Sequence, residues 1–321
     1  MTKQATIKIY DQLGEIKSIQ HDFSISNFQS FLNGGLGDAQ VILPYGFDDI
    51  NYGTDIQEGY ELTYTIYDGE SPNGTIMYSG EINDIVAYTG DSENITLNCF
   101  GYAYQLASDL LEATSNTTYI KYSATDPSNI IKDIIDKHQT SSPSTKINYT
   151  ASTIALTGKS ETIEFYSETP MNAINAVAKM ADADWNWRIA SDNMFYFNEI
   201  STTPDHFFVL GKDIAYMQAS YNIRDLKNAV LFSNGLGIDD PEYIYKLTSD
   251  ATSITSYGRR VEFMSDNRYK KSTGSADERT SRYVNTFKAP IDSLNIRILD
   301  SNLAGGYDIE TVFVGDTFKV L

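Results

Sequence analysis

The sequence predicts a mainly β protein, α+β overall, on three observations. Residues 1–100 alternate apolar and polar side chains with a period of two, and residues 126–181 hold two capped stretches with helical spacing. Strand-like runs return after His206. At roughly 100 to 200 residues per domain, 321 residues predict two or three domains, each large enough for its own core.

Gln40 to Leu43 is a short extended run ended by Pro44. Tyr60, Leu62, Tyr64 and Ile66 alternate with Glu61, Thr63, Thr65 and Tyr67, which places the first set on one face of a half-buried strand. Asp68 to Gly74 reads as a hairpin loop leading into a second run, Thr75 to Ile82. Asn94 to Cys99 repeats the pattern with Ile95, Leu97 and Cys99 inward. The order changes at Asp126-Pro127, an N-cap carboxylate followed by an N1 proline. Ile130, Ile131, Ile134, Ile135 and His138 then share one face of a helix expected over 127–138. Thr140 to Ser144 breaks it. A second helix starts at Thr169-Pro170, with Ala173, Ile174, Val177, Ala178 and Ala181 in one stripe. Trp185 to Ile189, a Ser191-Asp192-Asn193 turn and Met194 to Asn198 make a hairpin. Beyond it, Phe207–Leu210, Ala229–Ser233, Tyr243–Leu247, Asn295–Leu299 and Thr317–Leu321 read as strands. The turns 33–38 and 234–239 are loosely alike, a hint of duplication and no more.

The chain holds 24 Lys and Arg against 43 Asp and Glu, a formal charge of −19. Avid nucleic-acid binding needs clustered cations, so this balance argues against it. A hydrophobic fraction of 41%, with 23 Tyr, 15 Phe and 2 Trp, excludes a disordered acidic chain. Cys99 is the one cysteine, so neither an intrachain disulfide nor a thiolate zinc cage can form. The N-terminal residues lack the apolar run of a signal peptide, and no stretch approaches the roughly 18 consecutive apolar residues of a membrane span. A soluble chain without export signal or stable membrane association is expected.

Motifs with chemistry are mostly absent. Gly158-Lys159-Ser160 is the tail of a phosphate loop, but Thr153 stands where its first glycine belongs. Asp68, Glu70 and Asn73 suggest a calcium loop, yet Ser79 occupies the position of its bidentate glutamate. His21, His138 and His206 are far apart in sequence and read as surface or boundary residues. Asn73, Asn94, Asn116 and Asn148 begin formal glycosylation triplets of the kind chance produces in an Asn- and Thr-rich chain. Cys99 reads as a buried structural thiol, and Trp185 and Trp187 as core under the helix at 170–181 rather than a stacking platform. No residue is marked as catalytic, cofactor-binding or metal-ligating, and no cofactor is expected. An acid/base carboxylate pair of the glycosidase type stays open on composition.

Three stretches, taken in order, resemble the baseplate hub, or tail-associated protein, of bacteriophage tails and of related contractile injection machines. Phe31 to Pro44 is similar to the family's early turn and strand. Asn172 to Ala181, followed by Trp185 to Ile189 and Met194 to Phe197, resembles its helix and aromatic hairpin. Ile223 to Val230 resembles the Asn-x-Val entry that closes its inserted domain. The resemblance implies two tail-tube-like β-barrel domains with an inserted α+β domain: 1–110 plus 205–235 as the first barrel, 111–204 inserted, and 236–321 as the second. Because the chain ends on a strand that should pair further on, the second barrel is expected to be short or to continue beyond Leu321. The resemblance also implies a non-enzymatic homotrimer that adapts a six-fold tail tube to a three-fold tip and leaves a channel for the genome. Its partners would be the distal tail or tail-tube ring, tail spike or fibre proteins and the tape-measure protein, with DNA only in transit. Its place would be the virion's tail tip or baseplate, after synthesis in the host cytoplasm. The competing readings are a cell-wall or polysaccharide hydrolase using two of the carboxylates, and a β-rich glycan- or receptor-binding module.

Overall fold

A computed structural model describes residues 3–44, 51–67, 74–88, 93–111, 119–142, 145–182, 184–241, 243–266, 273–299 and 307–321. The protein is mainly β. Its first seven strands are β1 (Gln4–Tyr10), β2 (Ile16–Gln20), β3 (Ser24–Ser30), β4 (Leu36–Leu43), β5 (Glu61–Tyr67), β6 (Thr75–Tyr88) and β7 (Asn94–Gly101). They form one sheet of order β2-β1-β5-β6-β7-β4-β3, antiparallel throughout. The register lines up one apolar face across it: Ile9 opposes Leu62, Ile7 opposes Tyr64, Ile82 opposes Cys99, and Leu97 opposes Val41. All of these but Tyr64 are buried. The sheet rolls around that face, because the rings of Phe23 and Phe28 stand 5.9 and 6.3 Å from Tyr64, which lies three strands in from the far edge. Gly101 permits the roll: a Cβ there would fall 1.8 Å from the carbonyl oxygen of Leu36. In place of a closed barrel, the described residues show an open rolled sheet, with no ladder joining β2 to β3. Both edge pairings carry register shifts, and such bulges bend a strand and end its pairing.

The middle of the chain supplies α1 (Ala103–Ser108), β8 (Ile120–Thr125), α2 (Pro127–Ser141), β9 (Glu161–Phe165), α3 (Pro170–Ala178), β10 (Trp185–Ile189) and β11 (Phe195–Glu199). α2 begins as its sequence dictates: Asp126 accepts a bond from the Ser128 amide at 2.8 Å, and Pro127 needs no donor in the first turn. Its four isoleucines 130, 131, 134 and 135 are fully buried. Thr169 caps α3 through the Asn172 amide at 3.2 Å. A core separate from that of the rolled sheet runs from Leu106 through α2, α3 and the β10–β11 hairpin to Phe232 and Ala276.

The last part comprises β12 (His206–Phe208), β13 (Ile214–Asn222), β14 (Ala229–Ser233), β15 (Tyr245–Ser249), α4 (Ala251–Tyr257), β16 (Val261–Ser265), α5 (Thr273–Phe287), β17 (Ile291–Ile298) and β18 (Phe318–Val320). Its ladders are small: β12 with β18 in parallel, β13 with β17 antiparallel, and β14 between antiparallel β15 and parallel β16. Residues 205–235, expected with the first unit, thus make their strand pairs with the C-terminal part.

Candidate functional site: a central junction and its surroundings

The helix and hairpin of α3, β10 and β11 stand between the other two parts and touch both. Asn33, in a left-handed turn at φ 55°, donates its amide to the Trp187 carbonyl at 2.7 Å. Its side-chain oxygen accepts the Trp187 amide at 3.1 Å, and its side-chain nitrogen donates to Asn186 at 2.7 Å. Asparagine tolerates that backbone region and has both a donor and an acceptor to give. Next to it, Gly35 lets the chain close in: a Cβ would stand 3.1 Å from that of Ile189. The turn at 31–38 and the hairpin at 185–197, two of the stretches that carry the family resemblance, are therefore bonded to one another.

On the other side, Arg282 of α5 donates to the carbonyls of Ala178, Ala181 and Trp185, the last two at 3.0 and 3.1 Å. The Ala178 and Ala181 carbonyls lie at and just beyond the end of α3, where a cation also faces the negative end of the helix dipole. Burial lowers the Arg282 pKa, against the pull of Asp182 and Asp184. Nothing in a one-dimensional reading marks Arg282, because its partners lie about a hundred residues away.

Lys159 is held by Asp182 at 2.8 Å and Glu278 at 2.9 Å, and the Gly158 amide donates to Asp126 at 2.8 Å. Burial alone would lower the Lys159 pKa, but the bonds to both carboxylates prevail and raise it. This loop is braced by carboxylates, the opposite of a phosphate cradle. Asp68, Glu70, Asn73 and Asn116 lie outside the described residues. Asn94 opens β7, and Asn148 bridges to Met194. Trp187 is fully buried and stacks on Phe195 with centroids 5.3 Å apart, and Trp185 is buried as well, so both serve packing. Cys99 is buried, and burial pushes its thiol up to about 12. Among the described residues no group of three His, Cys, Asp or Glu could hold a metal ion.

Two of the three histidines correct the sequence reading, whereas His21 is exposed as that reading has it. His138 is interior, with Nδ1 2.6 Å from Asp109 and Nε2 3.1 Å from the Thr145 hydroxyl. His206 is buried too, bonded to Asp316 at 2.8 Å and to the Tyr307 hydroxyl. Sequence separation hid both pairs, since the partners stand 29 and 110 residues away. Asp109, His138 and Thr145 resemble a hydrolytic triad on paper. However, Thr145 donates its proton to Gln105 at 2.9 Å, so the imidazole has no hydroxyl proton to abstract. Burial would raise the Asp109 carboxyl, yet bonds from His138 and Ser141 hold it below the usual carboxylate range. The cluster is a clamp tying the end of α2 to the segment after α1. Two depressions flank the junction. One, polar and about 710 Å³, is lined by Glu168, Asn172, Lys179 and Asp266; the other, about 490 Å³ and more apolar, by Phe28, Tyr64, Met77, Arg188 and Phe313.

The sequence matches no protein-family model and no curated protein. Solved structures do match. The chain is similar to the 43 kDa tail protein of prophage MuSo2 from Shewanella oneidensis, with a TM-score of 0.65 and 14% identity over 100% of this chain and 89% of that one. It is also similar to a tail protein from Neisseria meningitidis MC58, with a TM-score of 0.66 and 12% identity over 100% of this chain and 87% of that one. The prophage tail protein gp18 from Listeria monocytogenes EGD-e aligns with a TM-score of 0.56 and 9% identity over 91% of this chain and 80% of its own. At these identities the likeness is one of fold, and it extends along the whole chain.

Proposed function

We propose that this chain is a non-enzymatic structural hub of a phage tail tip or baseplate, or of a related injection device. The observation that carries the reading is the fold shared along the full chain with two tail proteins. In this reading, 1–110 is a tube-like unit, 111–204 an α+β unit inserted beside it, and 236–321 a second tube-like unit. Residues 205–235 are counted with the last, because their ladders run there. Three copies then offer six tube-like units, which adapts a six-fold tube to a three-fold tip around a channel. The neighbours of the ring are the distal tail or tube ring, spike or fibre proteins and the tape measure. A surplus of 19 acidic charges suits a bore through which DNA passes without being held, since phosphates are repelled by carboxylates. No described helix is long and apolar enough to cross a membrane. Electron-microscope images of the purified protein test the proposal: a three-fold ring with a central hole is expected. Single copies without symmetry that cleave cell-wall polysaccharide would overturn it in favour of the hydrolase.

A further inference from the structure

The lesser of the two depressions beside the junction, about 490 Å³, is lined from three parts of the chain. The rolled sheet supplies Phe28, Tyr64, Ile66 and Met77, the segment 309–314 supplies Phe313, and β10 supplies Arg188. These parts are fastened to their surroundings. The Ser79 hydroxyl of β6 donates to the Ser191 carbonyl at 2.8 Å, Lys3 meets Glu310 at 2.6 Å, and His206 bonds Asp316 at 2.8 Å. The cavity is therefore built into the fold rather than left between loose segments. Packed interiors leave few voids larger than a water molecule, whereas clefts of roughly 300–1,000 Å³ with apolar linings and a few polar groups are the usual form of a small-ligand site.

The charges of this lining are unequal. Glu310 is its one acid, and Lys3 neutralises it. Arg188 is its one base, and among the described residues no carboxylate pairs with it and no hydrogen bond engages its guanidinium. In a chain with 43 Asp and Glu against 24 Lys and Arg, a half-buried guanidinium left without an acid is a vacancy for one. The group is nevertheless held in place. It lies over the Tyr196 ring, 4.7 Å from the centroid, and against Gly315, where an added Cβ would come within 2.6 Å of Nη1. A guanidinium over a ring keeps its in-plane N–H donors for an acceptor, and a carboxylate matches that fork. We propose that the cavity binds a small apolar carboxylic acid as its anion, with the apolar body against Phe28, Tyr64 and Met77 and the carboxylate on Arg188. Charge selects this class among apolar ligands: a neutral molecule leaves Arg188 unpaired, and a cation is repelled by it. The site does not depend on the ring assembly proposed above.

Isothermal titration of the full chain with decanoate and with decanamide, its neutral counterpart of the same length, tests the site. A net charge of −19 repels anions in general, so non-specific association favours the amide. Decanoate is expected to bind the wild type roughly tenfold more tightly than decanamide, the effect of one charge-assisted pair. Arg188→Met is expected to abolish that preference while leaving the affinity for decanamide unchanged, which also shows the cavity to be intact. Arg188→Lys keeps the charge and loses the fork, and is expected to bind decanoate severalfold more weakly than the wild type does, with decanamide again unchanged. Equal affinities for the two compounds in the wild type, or no saturable binding of either, would overturn the proposal. So would a preference that survives Arg188→Met or, where that variant does not fold, one that is undiminished in Arg188→Lys.

Discussion

The rolled sheet of β1–β7 and the ribbon of β13 and β17 are built from the same antiparallel, period-two strands, yet they deal with their apolar faces differently. In the first, seven strands supply enough width for the sheet to curl, and Ile9, Leu62, Leu97 and Val41 close on one another. In the second, two strands have no width to curl, and Met217, Tyr221 and Leu294 stay open. A period of two therefore identifies a strand but not what covers it. Coverage inside the chain makes a core, and coverage by another chain makes an interface.

The largest test of this contrast compares one substitution at two leucines. Leu97→Asp places an unpaired charge in the core and is expected to cost more than about 4 kcal/mol. Leu294→Asp, at an exposed position, is expected to change stability by no more than about 0.5 kcal/mol. Urea unfolding measures both, and equal costs would mean that the ribbon's apolar face is as closed to water as the sheet's. Next in size are two glycines. Gly101→Ala must displace the Leu36 carbonyl and should cost on the order of 1–3 kcal/mol, as overpacking does. Gly237, with nothing within 4 Å of its added Cβ, should accept alanine with a change between zero and a gain of about 1 kcal/mol. Thermal melts of the pair reveal whether the roll of the sheet requires its glycine. Removing the α2 cap with Asp126→Ala is a milder probe of the separate core around α2, expected to cost about 1 kcal/mol in a thermal melt.

The smallest effect is in acid. Asp109 has its pKa lowered from the ordinary 3.8, so its contribution is full above that value and is lost as pH falls through the lower, folded one. The stability gap between wild type and Asp109→Asn should be constant near neutrality and shrink on acidification. A gap that does not change with pH would mean that the clamp on His138 contributes nothing through charge.

Much of the fold was legible because several elements use strong residues in unambiguous order. β5, β7, α2 and the β10–β11 hairpin bury Leu, Ile, Phe and Trp at the periods their geometry demands, and Pro127 and Thr169 mark where the helices start. α5 was not legible. Its inward stripe is Ala276, Thr280 and Val284, too small and too polar to stand out, and much of its anchoring falls to Arg282. β9 was hidden by Glu161 and Glu164, buried acids of which Glu164 meets Lys121 at 3.0 Å. β13 alternates as a strand should, but through Met, Ala and Tyr beside Gln and Ser, a contrast too weak to stand out, and almost all of it is exposed. The His138 and His206 clamps depend on long-range partners, and no spacing rule reaches across 110 residues.

Light scattering on the purified protein measures the mass that the proposed ring of three identical copies requires. A particle of three times the 35.9 kDa chain is expected, dissociating on dilution. A single mass of 35.9 kDa at every concentration would contradict it.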